Sequence, residues 1–245
     1  MKYQADTHCH TIASGHAYST IGEMAFQAAE NGLKLIAMTD HGPAMPDGAS
    51  VTHFRNLRVI PRQIHGVEIL KGAETNIMDY QGRMDLSDAV LHELELVIAS
   101  LHLPCIKPGS REENTRALIT AISHPSVHIL GHIGNPVYPI DAHRVIEAVK
   151  QQKKLIEINN SSLLPLSFRK GSLENCRRVL EICRDRQVPV VVGSDAHIDW
   201  DVGNFSKADE LINELKVPKE LVLSCDTKAL KEYLGIKNAG NDEIF

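Results

Sequence analysis

The chain is predicted to fold as α/β: a distorted, TIM-like (β/α)7 barrel forming one domain over residues 1–245. Three observations lead there. Apolar, strand-like runs recur roughly every 30 residues, about the repeat of a βαβ unit. Stretches with helical apolar periodicity lie between them. Six of the seven runs end in a histidine, aspartate or glutamate, and in a parallel barrel those ends converge on one rim, where such folds build their sites. An open doubly wound sheet is the alternative architecture.

The first strand is placed at 3–10 (YQADTHCH) and is the least apolar. STIGEMAFQAAENG (19–32) then reads as a helix. Thr20 and Glu23 have capping-box spacing, Ile21, Met24, Ala25 and Ala28 share a face, and Gly32 is a stop signal. KLIAMTDH (34–41) is the second strand. The segment 42–66, with its prolines and glycines, is expected to cover one end of the molecule. VEILKGAE (67–74), ELVIASLH (95–102) and VHILGH (127–132) follow as strands. DAHRVIEAVKQQ (141–152) is helical, KLIEINN (154–160) extended. GSLENCRRVLEICRDR (171–186) is a helix whose Cys176 and Cys183 share one buried stripe, and VPVVVGSDAH (188–197) is the last strand. Near-continuous apolar strands imply a sheet covered on both faces.

Composition narrows the function. With 43% hydrophobic residues the chain can build a sizeable core. Its 26 basic and 31 acidic residues give a net charge of -5, which argues against a broad surface for nucleic acid or anionic lipid. One Trp, five Tyr and five Phe offer few platforms for stacking bases. No apolar stretch reaches the ~18 residues needed to cross a bilayer, and the N-terminus shows no charged leader with an apolar run. Five scattered cysteines without a Cys-x-x-Cys pair disfavour a disulfide framework or a thiolate zinc site. A reduced, cytoplasmic protein is expected.

The strand ends supply His8 and His10, with His16 in the next loop, then Asp40 and His41, Glu74, His102, His132, Asn159 and Asn160, and finally Asp195 and His197. Residues two apart in a strand face the same way, so His8 and His10 point together, as do Asp195 and His197. Cys9 should point to the opposite side, into the core. Imidazole nitrogen and carboxylate oxygen suit zinc and related divalent ions. Each residue alone has a plainer reading. A lone histidine such as His102 or His132 is commonly a hydrogen-bonded structural residue, and Glu74 could open a helix. The concentration at strand ends outweighs these readings, because His53, His65, His92, His124, His128 and His143 fall elsewhere and read as surface or packing residues. His53, in the covering segment, is set apart from the others.

The same residues carry a family resemblance. DTHCHTIASGH (6–16), MTDHG (38–42), GAE (72–74), the strand-end His102 and His132, and GSDAH (193–197) resemble the PHP (polymerase and histidinol phosphatase) superfamily. GHAYST, EINNSS and GNPVYPID resemble its YcdX-like phosphatases, and the likeness runs over essentially the full chain. The resemblance implies a distorted seven-stranded barrel with three metal ions, zinc, although manganese or iron also suits such donors. His8, His10, Glu74 and Asp195 would hold the first, His16, His41 and His197 the second, and Glu74 as a bridge with His102 and His132 the third. Ile133 stands where close relatives are expected to carry proline, beside a ligand position. A homotrimer is implied by the resemblance alone.

Asp6 and Asp40 are expected to accept the second N–H of ligand imidazoles. Clustered divalent ions lower the pKa of water from 15.7 towards ~7 and offset charge on phosphoryl oxygens. The expected function is therefore a metal-dependent phosphatase acting on a small phosphate monoester, with hydroxide attacking phosphorus in line. Arg169, Lys170 and NNSS (159–162) are candidate substrate contacts, and Asp195 is a candidate acid/base in competition with its metal role. The alternatives are a phosphodiesterase or C–N hydrolase on the same centre, or a non-catalytic, metal-binding regulatory module.

Overall fold

The structure, a computed structural model, describes residues 1–236. In chain order its elements are β1 (Ala5–Cys9), α1 (Ile21–Glu30), β2 (Leu35–Met38), α2 (Val51–Asn56), β3 (Gln63–Ile64), β4 (Val67–Asn76), α3 (Asp88–Leu91) and β5 (Leu96–Ser100). The second half adds α4 (Arg111–Ile122), β6 (Ile129–Leu130), α5 (Ala142–Gln152), β7 (Leu155–Asn159), α6 (Ser172–Arg186), β8 (Val190–Gly193), α7 (Ser206–Glu214) and α8 (Thr227–Leu234).

Seven strands run parallel in the order β1-β2-β4-β5-β6-β7-β8, and the short β3 pairs antiparallel with β4. The seam between β1 and β8 carries no regular ladder. Two main-chain bonds nearly close it: His10 N–H donates to Ala196 O at 2.8 Å, and Asp195 N–H to His8 O at 3.0 Å. The expected (β/α)7 barrel is present. The segment 42–66 is more ordered than a simple cover, since it supplies α2 and β3.

The apolar residues form two layers. Leu35, Leu70, Leu96, Ile98, Ile129 and Leu155 fill the barrel interior, and Leu223, in the turn before α8, packs with them together with Leu230 of α8. A larger outer layer lies between strands and helices. The capping box of Thr20 and Glu23 starts α1, whose Met24, Ala25 and Ala28 are buried. Cys176 and Cys183 are likewise buried on α6. Among the described residues no helix is long and apolar enough to cross a membrane.

An irregularity in β1 aims the site. Asp6 pairs with Ile36 and Cys9 with Met38, so three steps on β1 oppose two on β2. That extra residue is a β-bulge, a device that redirects side chains beside sites. Ala5 faces the inner core before it, whereas Cys9 joins the outer layer after it. His8 and His10 thereby face inwards.

Candidate metal centre

All nine residues that the family resemblance assigns as metal ligands come together at one end of the barrel. Glu74, fully buried on β4, is the hub. Its Oε2 lies 2.8 Å from His41 Nδ1, 3.4 Å from His8 Nε2 and 3.6 Å from His10 Nε2. Its Oε1 lies 2.8 Å from His132 Nε2 and 3.3 Å from His102 Nε2. Asp195 Oδ1 faces His10 Nε2 at 3.2 Å, His8 Nε2 at 3.6 Å and His197 Nδ1 at 3.7 Å. His16 Nε2 meets His197 Nε2 at 3.1 Å.

This donor set fits divalent cations. Imidazole nitrogens point at one another, at 3.0 Å between His8 and His10 and 3.2 Å between His102 and His132. Among the described residues His10 Nδ1, His41 Nδ1, Glu74 Oε2 and Asp195 Oδ1 are buried without a hydrogen-bond partner. Each such orphan costs about 1–3 kcal/mol unless something satisfies it. Three triads have all donor atoms within 4.8 Å of one another: His10, His41 and His197; His8, His10 and Glu74; His41, Glu74 and His102. His41 thus sits between the group first paired with it and the Glu74 group.

Two of the nine carry unusual backbone. His132 has φ 32° and Asp195 φ 58°, left-handed values uncommon outside glycine and concentrated at functional sites. Ile129 of β6 faces the inner core, so plain alternation would send His132 outwards. The left-handed turn returns its ring to Glu74.

Neighbouring groups orient the rings. Glu157 accepts from His8 Nδ1 at 2.6 Å, Asn76 Oδ1 from His102 Nδ1 at 2.7 Å, and the Asp195 carbonyl from His197 Nδ1 at 3.0 Å. Placing each proton on Nδ1 leaves Nε2 free to bind a cation. Glu157 and Asn76 escaped the sequence reading. Their signal was parity: Asn76 is two residues past Glu74, and Glu157 is a charge inside an apolar run.

Asp6 and Asp40 do not orient these imidazoles, contrary to expectation. Asp6 accepts main-chain N–H groups of His8 (3.3 Å), Ser194 (3.0 Å) and Gly203 (2.9 Å). Asp40 accepts Thr11 N–H, Thr11 Oγ1–H and Ser14 Oγ–H, each at 2.8 Å, and His53 Nε2 lies 3.3 Å away. Both sit on the outer side of their strands, where they bind loops instead of the cluster.

The remaining candidates separate cleanly. Arg169 Nη1 donates to Asp195 Oδ2 at 3.0 Å and Ser162 Oγ at 3.3 Å, so it reaches the site. Lys170 is exposed and makes no hydrogen bond or ion pair with these groups. Asn159 Nδ2 donates to Asp195 Oδ2 at 3.2 Å. Asn160 instead accepts from Lys207 and Ala208 N–H at the start of α7.

Burial opposes ionisation of Glu74, but His102, His8 and His41 outweigh it and hold its carboxyl well below the usual range. Asp195 is held well below likewise, against burial, by His8 and Arg169. Burial, with His41 and His197, pushes His10 well below 6.5. Burial takes His102 to about 4 despite Glu74, and lowers His16 together with His197. His8 goes up, against burial, through Glu157, Glu74 and Asp195. The depressed histidines are neutral near pH 7, as metal binding requires.

A pH dependence follows. A histidine with a depressed folded pKa binds its proton better in the unfolded chain. His10, His16 and His102 therefore each weaken folding as pH falls below 6.5. His8, raised by its anionic neighbours, works the other way as pH falls through 6.5, but it is one group against three. Burial raises the Asp6 carboxyl, which offsets part of the effect at the acid end. The chelated chain is expected to melt at a lower temperature at about pH 5 than at about pH 7. Equal midpoints would contradict these directions.

A PHP domain family model matches residues 6–161, and a PHP-associated model matches residues 174–216. A protein named probable phosphatase from Thermoanaerobacter sp. (strain X514) is 52% identical over 235 residues, covering 96% of this chain and 95% of its own. One of the same name from Clostridium novyi (strain NT) is 45% identical over 245 residues, with 100% of both chains covered. Among solved structures, histidinol phosphate phosphatase from Lactococcus lactis, complexed with zinc, L-histidinol and phosphate, aligns with a TM-score of 0.55 at 16% identity, covering 89% of this chain and 95% of that one. A chain from the cryo-EM structure of archaeal ribonuclease P with mature tRNA aligns with a TM-score of 0.60 at 16% identity, covering 98% and 96%. At such identities the two structures show a shared fold, whereas the matched domain and the close full-length relatives decide the family. The chain belongs to the PHP domain family.

Proposed function

We propose that this protein is a metal-dependent phosphatase acting on a small phosphate monoester. The observation that carries the reading is the convergence of nine nitrogen- and oxygen-bearing side chains with Glu74 at their hub, several with buried, unsatisfied donor atoms. His8, His10, Glu74 and Asp195 would hold one ion, His16, His41 and His197 a second, and Glu74, His102 and His132 a third. Zinc suits this set, and manganese or iron also fits it. When bound, such ions supply activated water and offset charge on phosphoryl oxygens. The close relatives named probable phosphatase support this activity, and the zinc, L-histidinol and phosphate in the Lactococcus lactis structure support a small phosphorylated substrate.

The chain's own groups divide the remaining work. Arg169 presents a guanidinium beside Asp195, where it can grip a phosphoryl oxygen. Asp195 is an anion tied to Arg169 and Asn159, which suits a ligand better than a leaving-group acid. Arg169→Ala is expected to raise KM for a phosphate ester about tenfold or more, the value of a hydrogen bond to a charged group. Metal content should stay unchanged. An unaltered KM would remove Arg169 from the substrate site.

The overall reading is tested with a panel of phosphomonoesters, diesters and amides. Activity should be confined to monoesters, vanish with chelator and return with Zn²⁺ or Mn²⁺. A fully metallated protein inert towards every compound would instead identify a non-catalytic metal-binding module.

A further inference from the structure

We propose that Glu157 is a positioning residue that holds two parts of the centre at once, the ring of His8 and the backbone of His132. The assignment rests on the metal-centre reading above. Glu157 lies mid-strand on β7 and is 2% exposed. Leu155, two residues before it on the same face, belongs to the barrel's inner apolar core. A carboxylate in such a place is unfavourable unless it is paired and hydrogen-bonded. Among the described residues its ion-pair partner is His8 alone.

Its two oxygens are used separately. Oε1 accepts Nδ1–H of His8 at 2.6 Å. Oε2 accepts the main-chain N–H of His132 at 2.9 Å and Asn159 Nδ2–H at 3.2 Å. The first bond sets the His8 tautomer and turns Nε2 towards Glu74 and Asp195. The second holds His132 in its left-handed conformation, φ 32°. There the His132 Nε2 reaches Glu74 Oε1 at 2.8 Å. One carboxylate therefore spans two residues assigned to different ions.

The neighbouring strand β8 is built around that carboxylate. A Cβ at Gly193 of β8 would collide with Glu157 Oε1 and lie 2.7 Å from His8 Cβ. Gly193 therefore lacks a side chain where Glu157 needs room.

Glu157→Gln tests the assignment, because the amide keeps the volume but presents an NH2 to one of two N–H donors. Zinc is titrated into the stripped wild type and variant against a competing chelator, with bound zinc counted per chain. The ions assigned to His8 and to His132 are expected to weaken about 10–100-fold, the usual effect of removing a partner of a ligand. The ion held by His16, His41 and His197 should change little. Melting of the chelated variant supplies the contrast. A merely structural Glu157 would lower that midpoint and leave zinc affinity intact, which overturns the proposal. Should Glu157→Gln fold poorly, Glu157→Asp keeps the charge on a side chain too short to reach both His8 Nδ1 and the His132 N–H, and should reproduce the selective zinc loss. Unaltered zinc affinity in that variant would also overturn it. A wild type that takes up no zinc removes the metal centre itself, an outcome distinct from a normally loaded wild type beside an unaffected Glu157→Gln.

Discussion

Glu74→Gln is expected to strip most of the metal from the protein and to lower kcat by about a thousandfold or more, the scale lost when a principal electrostatic stabiliser disappears. The reason is local geometry. Both oxygens of Glu74 face imidazole nitrogens, His132 and His102 on one side, His41, His8 and His10 on the other. An amide leaves one acceptor oxygen and turns an NH2 against the remaining rings. It also removes a buried negative charge from a site assigned to several cations. Elemental analysis of the purified variant beside initial rates on a phosphomonoester provides the check. Full metal content at the wild-type rate would place Glu74 outside the centre.

Asp195→Asn is expected to cost less, about 10²–10³ in kcat. Asparagine tolerates the left-handed backbone found at this position, φ 58°, so the turn after β8 should survive. The charge facing His10, His8 and His197 disappears, while His8, His10 and Glu74 remain to hold the first ion weakly. Arg169 loses its partner at 3.0 Å and is freed to bind anions. Inhibition by inorganic phosphate should therefore be at least as strong as in the wild type even as kcat falls. A variant with undiminished kcat would refute the ligand role given to Asp195.

The barrel was legible because strand ends carry its chemistry. A histidine or acid closing an apolar run marks both the end of a strand and the rim it reaches. What stayed hidden depends on pairing. The bulge between Asp6 and Cys9 is visible only against β2, since spacing along one strand cannot show how many residues oppose it. Asp6 and Asp40 were misassigned for related reasons: the bulge turns Asp6 away from the face of His8 although the two are only two residues apart, and alternation sends Asp40 away from His41. Glu157 was masked because KLIEINN reads as a continuous buried strand, and the polar upper tier of a closed barrel breaks that rule. Arg169 and Lys170 were inseparable as a basic pair until Asp195 was found beside only one of them. The two-residue β3 is too short to leave a periodic trace.

The unladdered junction between β1 and β8 has a thermodynamic meaning. His8 and His10 stand on one bank, Asp195 and His197 on the other, so a cation gripped from both sides would rivet the first strand to the last. Like any ligand that favours the folded state, it shifts the folding balance by mass action. Because it fastens residues 187 apart in the chain (195 − 8), the loop it closes is long. Metal loading should thus be registered by slower deuterium uptake at the amides of His10 and Asp195, the two that stitch this junction, ahead of any change in overall dimensions.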